Sequence, residues 1–130
     1  MSQSSTTEDI QIRPFTWDDV SSLLDLMDRA GRHPFKYADD GLAAFKLSLG
    51  APRLEPTRDI LVADSGSRLE GWVRVDLEPG VSRAIVGLGV DPDLDAIAMR
   101  PRLLRMARDL AIESGMSTLH VPVDATDNET

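Results

Sequence analysis

Three short apolar segments separated by two tight turns, in the middle of the chain, constrain its fold more than any other feature. The apolar segments are residues 60–63, 69–77 and 83–90. The turns between them, Asp64-Ser65-Gly66-Ser67 and Glu78-Pro79-Gly80, consist of residues that tolerate tight backbone geometry. Short connections of this kind join neighbouring antiparallel strands. The region therefore predicts an antiparallel meander of three strands.

Helical patterns flank this meander on both sides. Thr16 is expected to cap a helix over residues 17–30, in which Trp17 belongs to the apolar stripe and which ends at Gly31. The clearest helix, from about Ala98 to Ser114, carries one apolar stripe, which comprises Leu103, Leu104, Ala107, Leu110 and Ala111.

Weaker patterns complete the predicted order of elements. Residues 38–50 favour a second short helix, and residues 10–13 and 119–123 read as strands. The order is then β-α-(α)-β-β-β-α-β. It indicates an α+β fold of three layers, α/β/α, around a mixed, mainly antiparallel sheet.

Composition limits the classes of function. A chain of 130 residues fits one domain, here residues 10–130, after a polar tail over residues 1–9 that we expect to be disordered. The net charge of −8 argues against a nucleic-acid partner. No apolar run approaches the roughly 20 residues of a membrane span, and the lack of cysteine excludes thiol nucleophiles and cysteine-ligated metals. We expect a cytoplasmic protein without a metal site.

The segment VDPDLDAIAMRPRLL, residues 90–104, joins the meander to the clearest helix. Its Val90, Pro92 and Leu103-Leu104 stand at the spacing of the GCN5-related N-acetyltransferase (GNAT) superfamily, which the chain resembles over residues 10–130. The resemblance implies acetyl-CoA as cosubstrate and a small-molecule or peptide amine as acceptor. The implied activity is acyl-CoA-dependent N-acyl transfer, from acetyl-CoA to a primary amine.

The resemblance also implies a cosubstrate site. In that family the strand backbone, here Leu88, Gly89 and Val90, pairs with the acyl-pantetheine arm. The loop and first helical turn, here with Ala98, Arg100 and Arg102, lie against the pyrophosphate, because helix N-terminal amides favour anions.

Several residues depart from the family's pattern at these positions. Asp95 stands where the family has a basic or amide residue, while Ala98 and Arg100 replace glycines. Pro101, expected in the first helical turn, has no N–H to donate. An ordinary strand-to-helix connection is thus an alternative interpretation. A non-catalytic, degenerate module that scaffolds or dimerises is the alternative function.

The sequence assigns no catalytic residue but offers two candidates for a general base. His120 alternates with Leu119 and Val121, so it faces the opposite side of its strand, which in the resembling fold lines the cleft. Glu78, with Asp76 beside it, could act through water near a strand end. A packed or surface histidine and exposed turn carboxylates are the competing interpretations.

The resemblance further implies elements that follow residue 130. Members of the family continue with a helix that bears a tyrosine and with two more strands, whereas Tyr37 is the only tyrosine here. We therefore expect a C-terminally incomplete domain, for example one half of a tandem acetyltransferase. Pro122 fits a splayed strand or an edge strand, and an open edge at residues 119–123 predicts a homodimer or a missing second half.

Overall fold

A computed structural model describes residues 10–32, 34–35, 38–93 and 96–121. Five strands form one sheet in the order β1-β2-β3-β4-β5. The strands are β1 Gln11–Pro14, β2 Ile60–Asp64, β3 Leu69–Glu78, β4 Arg83–Val90 and β5 Thr118–His120. The helices are α1 Val20–Arg29, α2 Gly41–Ser48, α3 Pro56–Asp59 and α4 Ala96–Glu113, with short 3-10 turns at Trp17–Asp19 and Pro79–Val81.

The sheet is mixed and mainly antiparallel. Strands β1 to β4 pair antiparallel with their neighbours, which confirms the predicted meander, and β4 pairs parallel with β5 through the α4 crossover. The predicted α+β class is confirmed. None of the described helices combines the length and apolar character that crossing a lipid bilayer requires.

Alternation along the strands divides the core between the two faces of the sheet. On one face α1 and α2 cover a cluster that includes Phe15, Leu23 and Trp72. On the other face α4 covers a cluster that includes Val73 and Leu103. The second-helix pattern is confirmed as α2, whose first turn is capped by the Asp40 carboxylate, which accepts a hydrogen bond from the Ala43 N–H at 3.0 Å.

The entry to α1 differs from its predicted form. Thr16 precedes a 3-10 turn instead of the α-helix, and its backbone N–H donates to Asp19 at 2.8 Å. The prediction that Trp17 belongs to the buried stripe is wrong, because the 3-10 turn rotates it outward and leaves it 52% exposed. Arg13 reaches the same carboxylate through two nitrogens, at 2.8 and 2.9 Å. Hydrogen bonding to Arg13 lowers the pKa of Asp19 and outweighs burial, which raises it, so the pKa lies below its ordinary value.

The positions of two prolines within their elements differ from those that the sequence pattern predicts. Pro14, which follows the predicted strand over residues 10–13, is the last residue of β1. This strand lies at the edge of the sheet, where a missing N–H is tolerated. Pro101 was expected in the first turn of α4, which is wrong, since the helix begins at Ala96 and Pro101 lies inside it. The predicted tail 1–9, His33, Tyr37, Asp95 and Pro122 lie outside the described residues.

Candidate functional site

Strand β4 is paired with β5 along only part of its length. The parallel register joins Arg83–Ile85 to Thr118–His120. Within the described part of the chain, the remaining residues 86–90 pair with β3 alone. One edge of β4 is therefore left uncovered by the described β5 residues, just before the chain turns into α4.

The hydrogen bonds of β4 show which residues use that edge. The Asp91 N–H donates to the Glu70 carbonyl at 2.8 Å, in the same register that pairs Gly89 with Trp72. Because backbone groups alternate direction along an antiparallel strand, the odd-numbered residues of β4 bond to β3. The backbone N–H and C=O groups of Leu88 and Val90 then point to the uncovered edge. Of the predicted cosubstrate residues, these two direct backbone groups outward, whereas those of Gly89 face β3.

Gly89 has a different role in this region. The ring of Trp72 lies directly over it, so that a Cβ built on Gly89 would stand 2.1 Å from Cη2 of the ring. Trp72 is 5% exposed. The absence of a side chain at Gly89 thus allows the indole to lie flat on β4.

A cavity of about 320 Å³ adjoins this part of β4 on the α1/α2 face. Gly87, Leu88, Trp72 and Arg74 come from the sheet, and α1, α2 and the segment between them supply the remaining walls. Those remaining residues are Met27, Arg32, Pro34, Phe35, Phe45 and Ser48. No local sequence pattern predicts this cavity, because its lining comes from four separate parts of the chain.

The general-base candidates lie on the same face, further along the sheet. His120 is exposed and pairs with Ile85, which in turn pairs with Asp76 on β3. Glu78 accepts a hydrogen bond from Nε of Arg83 at 2.8 Å, so its carboxylate already has a cationic partner. His120 is the candidate whose side chain is open to solvent.

The predicted phosphate-binding residues are divided between two flanks of α4. Arg102 donates from Nη2 to the Ile10 carbonyl at 3.0 Å, toward the β1 side of the sheet. At 100° per residue, Arg100 lies on the opposite flank from Arg102, with the buried Met99 between them. Ala98 is partly buried in the first turn. The side chains of Arg100 and Arg102 thus do not converge on one point.

A buried carboxylate fastens the end of β4 to α1. Asp91 is 1% exposed and accepts from Nε of Arg29 at 2.9 Å and from the Asp93 N–H at 2.9 Å, with Nη2 of Arg68 at 3.3 Å. Burial by itself raises the pKa of Asp91, but these hydrogen bonds and the nearby arginine charges outweigh it and hold the pKa below its ordinary value. Asp91 stands between Val90 and Pro92, two residues that carry the family resemblance, but neither of them predicts that its carboxylate is buried.

A larger cavity, of about 780 Å³, lies on the other face of the sheet. Its lining combines the C-terminal half of α4, including Met106 and Leu110, with Pro14, Leu61 and Leu77. None of the residues that line it belongs to β4. It is separate from the site built around the uncovered edge.

The chain matches known proteins by structure but not by sequence. No protein-family model matches the sequence, and no curated protein matches it at a significant level. An aminoglycoside N-acetyltransferase in complex with CoA superposes with a TM-score of 0.71 at 14% identity, over 99% of this chain and 84% of that one. The ribosomal-protein-S18-alanine N-acetyltransferase of Escherichia coli gives a TM-score of 0.68 at 18% identity, over 92% and 70%.

A GCN5-related N-acetyltransferase of Sphaerobacter thermophilus gives a TM-score of 0.68 at 10% identity. The match covers 85% of this chain but only 34% of that protein, so the chain spans about a third of its length. At these identities the likeness concerns the fold. The chain has the fold of the GCN5-related N-acetyltransferases.

Proposed function

We propose that the chain binds acetyl-CoA and transfers its acetyl group to a primary amine. The observation that carries this proposal is the edge of β4 over residues 86–90, which no described residue of β5 covers and which ends beside the start of α4 in a fold shared with acetyltransferases. The second function, a scaffolding or dimerising module, predicts no ligand at that edge.

The backbone of β4 suits the pantetheine part of the cosubstrate. Pantetheine is an extended chain with two amides, and an extended chain of this kind adds to an open strand edge by main-chain hydrogen bonds. Leu88 and Val90 present the N–H and C=O groups required for such pairing. Once bound, acetyl-CoA supplies a thioester carbonyl that an unprotonated amine can attack.

The same N–H donors serve the reaction. An N–H of β4 that points to the thioester oxygen stabilises the negative charge that develops there during attack, and a fixed backbone donor does so without reorganisation. Leu88 is the donor that also borders the 320 Å³ cavity, where the amine would enter. Acyl donor and amine then meet at one residue of β4.

His120 is the proposed acceptor of the amine's proton. It pairs with Ile85, three residues before Leu88, which corresponds to about 10 Å along the strand. That separation requires a relay of water, and the exposed position of His120 allows one. Glu78 is the less favoured candidate because Arg83 occupies its carboxylate.

We propose that Arg100 and the first turn of α4 at Ala98 bind the phosphates of acetyl-CoA. Arg100 lies on the flank of the helix opposite the Ile10 contact. Arg102 is tied to that carbonyl and is expected to contribute mainly to packing. Arginine suits phosphate recognition because its guanidinium is permanently charged and donates several hydrogen bonds.

Thermal melting with acetyl-CoA tests the proposal directly. A ligand at 100 times its Kd adds about 2.7 kcal/mol, or about 10 °C for a domain of this size. Arg100→Glu should reduce this shift, whereas Arg105→Glu, on the exposed face a turn further along, should leave it unchanged. The absence of any shift at millimolar acetyl-CoA contradicts the proposal and favours the non-catalytic module.

A further inference from the structure

We propose that the acceptor amine carries an anionic group, a carboxylate or a phosphate, that Arg74 recognises in the 320 Å³ cavity. This inference rests on the proposed function and names the class of acceptor. It follows from the charge, the unused hydrogen-bond donors and the size of the cavity.

The ionisable residues that line the cavity are arginines. Two arginines, Arg32 and Arg74, belong to its lining, and none of the described lining residues is a carboxylate. The chain as a whole has a net charge of −8. Guanidinium groups in a concave site, with no carboxylate among the described lining residues, favour an anion by local attraction.

Arg74 is held in place with one edge of its guanidinium unused. Nε lies 3.1 Å from both carboxylate oxygens of Asp76, and Nη2 lies 3.0 Å from Oδ1. Nη1 makes no hydrogen bond to any described residue. The edge formed by Nη1 and the second hydrogen of Nη2 has the fork geometry that binds carboxylates and phosphates through two hydrogen bonds.

The ion pair between Arg74 and Asp76 contributes more to the orientation of the guanidinium than to stability. The side chains of the pair are 32% and 44% exposed, and an ion pair this accessible to water stabilises a fold only weakly. By restraining the guanidinium, however, Asp76 reduces the side-chain entropy that anion binding would otherwise cost. We assign Arg74 as the residue that determines specificity and Asp76 as its positioning residue.

The position of Arg74 sets the distance between amine and anion. Arg74 pairs with Gly87, so its guanidinium lies one strand away from the residue that precedes Leu88. Asp76 draws the guanidinium toward the next pair along β3, about 7 Å further from Leu88. An amine at Leu88 and an anion at Arg74 are then separated by a few bonds, as in an amino acid or an amino phosphate ester.

The remaining walls indicate a small acceptor with an apolar part. Phe35, Phe45 and Trp72 line the cavity, and 320 Å³ is at the lower end of the volumes of small-molecule sites. A molecule of the size of an aromatic amino acid matches this space better than a folded protein surface does.

The test compares matched amines on matched variants. Phenylalanine and phenethylamine differ only in the carboxylate, and O-phosphoethanolamine against ethanolamine reports on phosphate instead. The enzymes are wild type, Arg74→Gln and the control Arg83→Gln, which removes another ion-paired arginine from the same sheet face, outside the cavity lining. Initial rates give KM and kcat for each pair of acceptors.

We expect wild type to prefer an anionic amine by at least tenfold in kcat/KM. Arg74→Gln should abolish most of that preference through KM and leave the neutral amine unchanged, while Arg83→Gln should behave as wild type. A wild type without preference for either anion, or a preference that survives Arg74→Gln, overturns the inference.

A binding experiment separates this inference from the proposed function. N-acetylphenylalanine and N-acetylphenethylamine are titrated into each protein by calorimetry, with and without CoA. Tighter binding of the anionic ligand that Arg74→Gln removes supports the inference even if acetyl-CoA gives no thermal shift. Equal binding of the two ligands overturns it even if acetyl-CoA binds.

Discussion

Substitution of Gly89 by alanine should destabilise the protein because the Trp72 ring occupies the space of the new methyl group. The added Cβ would lie 2.1 Å from Cη2, 2.6 Å from Cζ3 and 2.7 Å from Cζ2, against an ordinary contact of 3.4 Å or more. The ring must therefore move by about 1.3 Å, and it is buried against the α1/α2 core. Overpacking of this kind costs about 1–3 kcal/mol.

We take about 2 kcal/mol as the expected cost of Gly89→Ala. At roughly 2.1 cal/mol/K of unfolding entropy per residue, 130 residues give about 0.27 kcal/mol/K, so Tm should fall by about 7 °C. Chemical denaturation followed by tryptophan fluorescence measures the free energy of unfolding directly.

Two variants serve as controls for this reasoning. Gly87→Ala adds a methyl group two residues away on the same strand face, where nothing lies within 4 Å, so its effect should stay within about 0.5 kcal/mol. In a Trp72→Leu background, Gly89→Ala should lose most of its cost, as a double-mutant cycle would show. Equal effects of the two glycine substitutions, or an undiminished cost in the Trp72→Leu background, would refute the explanation.

Three further predictions follow from buried groups elsewhere in the chain. Asp91→Asn should lower the free energy of unfolding, measured by urea titration, by roughly 2 kcal/mol, because it leaves buried hydrogen-bond partners imperfectly paired. The control Asp76→Asn, at an exposed ion pair, should lower it by less than about 1 kcal/mol. Equal costs of the two substitutions would contradict this reasoning. The pKa of Asp19, lowered by its hydrogen bond from Arg13, gives stability that is present above the unfolded pKa of about 3.9 and lost as pH falls through the lower folded pKa. Melting temperature should therefore decline below about pH 4, less steeply in Asp19→Asn; parallel acid profiles would count against the assignment. Leu103→Ala, at a side chain with 0% exposure, should cost about 2–5 kcal/mol, and a loss under 1 kcal/mol would mean that α4 is packed less tightly than described.

Local signals explain which elements the sequence predicts well. The meander depends on turn residues such as Ser65-Gly66 and on alternating apolar positions, both of which are readable without tertiary context. Trp17 shows the limit of periodicity, because the pattern does not distinguish a 3-10 turn from an α-helical one and the two rotate a side chain differently. The four-residue α3 is too short to give a periodic signal.

The candidate site is only partly visible in the sequence. The strand-to-helix segment after Val90 is local, and the family resemblance that it carries predicts Leu88, Gly89 and Val90 as the backbone that pairs with the cosubstrate. In the structure Leu88 and Val90 direct their backbone groups away from β3, whereas Gly89 does not. The cavity required knowledge of how α1, α2 and β3 pack, so no single segment announced it. Arg74 nevertheless carried a local signal, since the alternation Arg-x-Asp in a strand places both side chains on one face.

Under the proposed acetyl transfer, the ion pairs and hydrogen bonds of Asp91 have a kinetic consequence. Arg29 of α1 forms an ion pair with Asp91 at the end of β4, while Met27, two residues earlier on α1, lines the 320 Å³ cavity in which we propose that the acceptor binds. Acetyl-CoA bound at β4 would restrict the motion of this part of α1 before the acceptor binds. The acceptor would then bind without the conformational-entropy cost of ordering that part of the protein. Steady-state rates should then follow a compulsory-order pattern in which acetyl-CoA binds first. Weakening the ion pair between Arg29 and Asp91 should make the order of binding random.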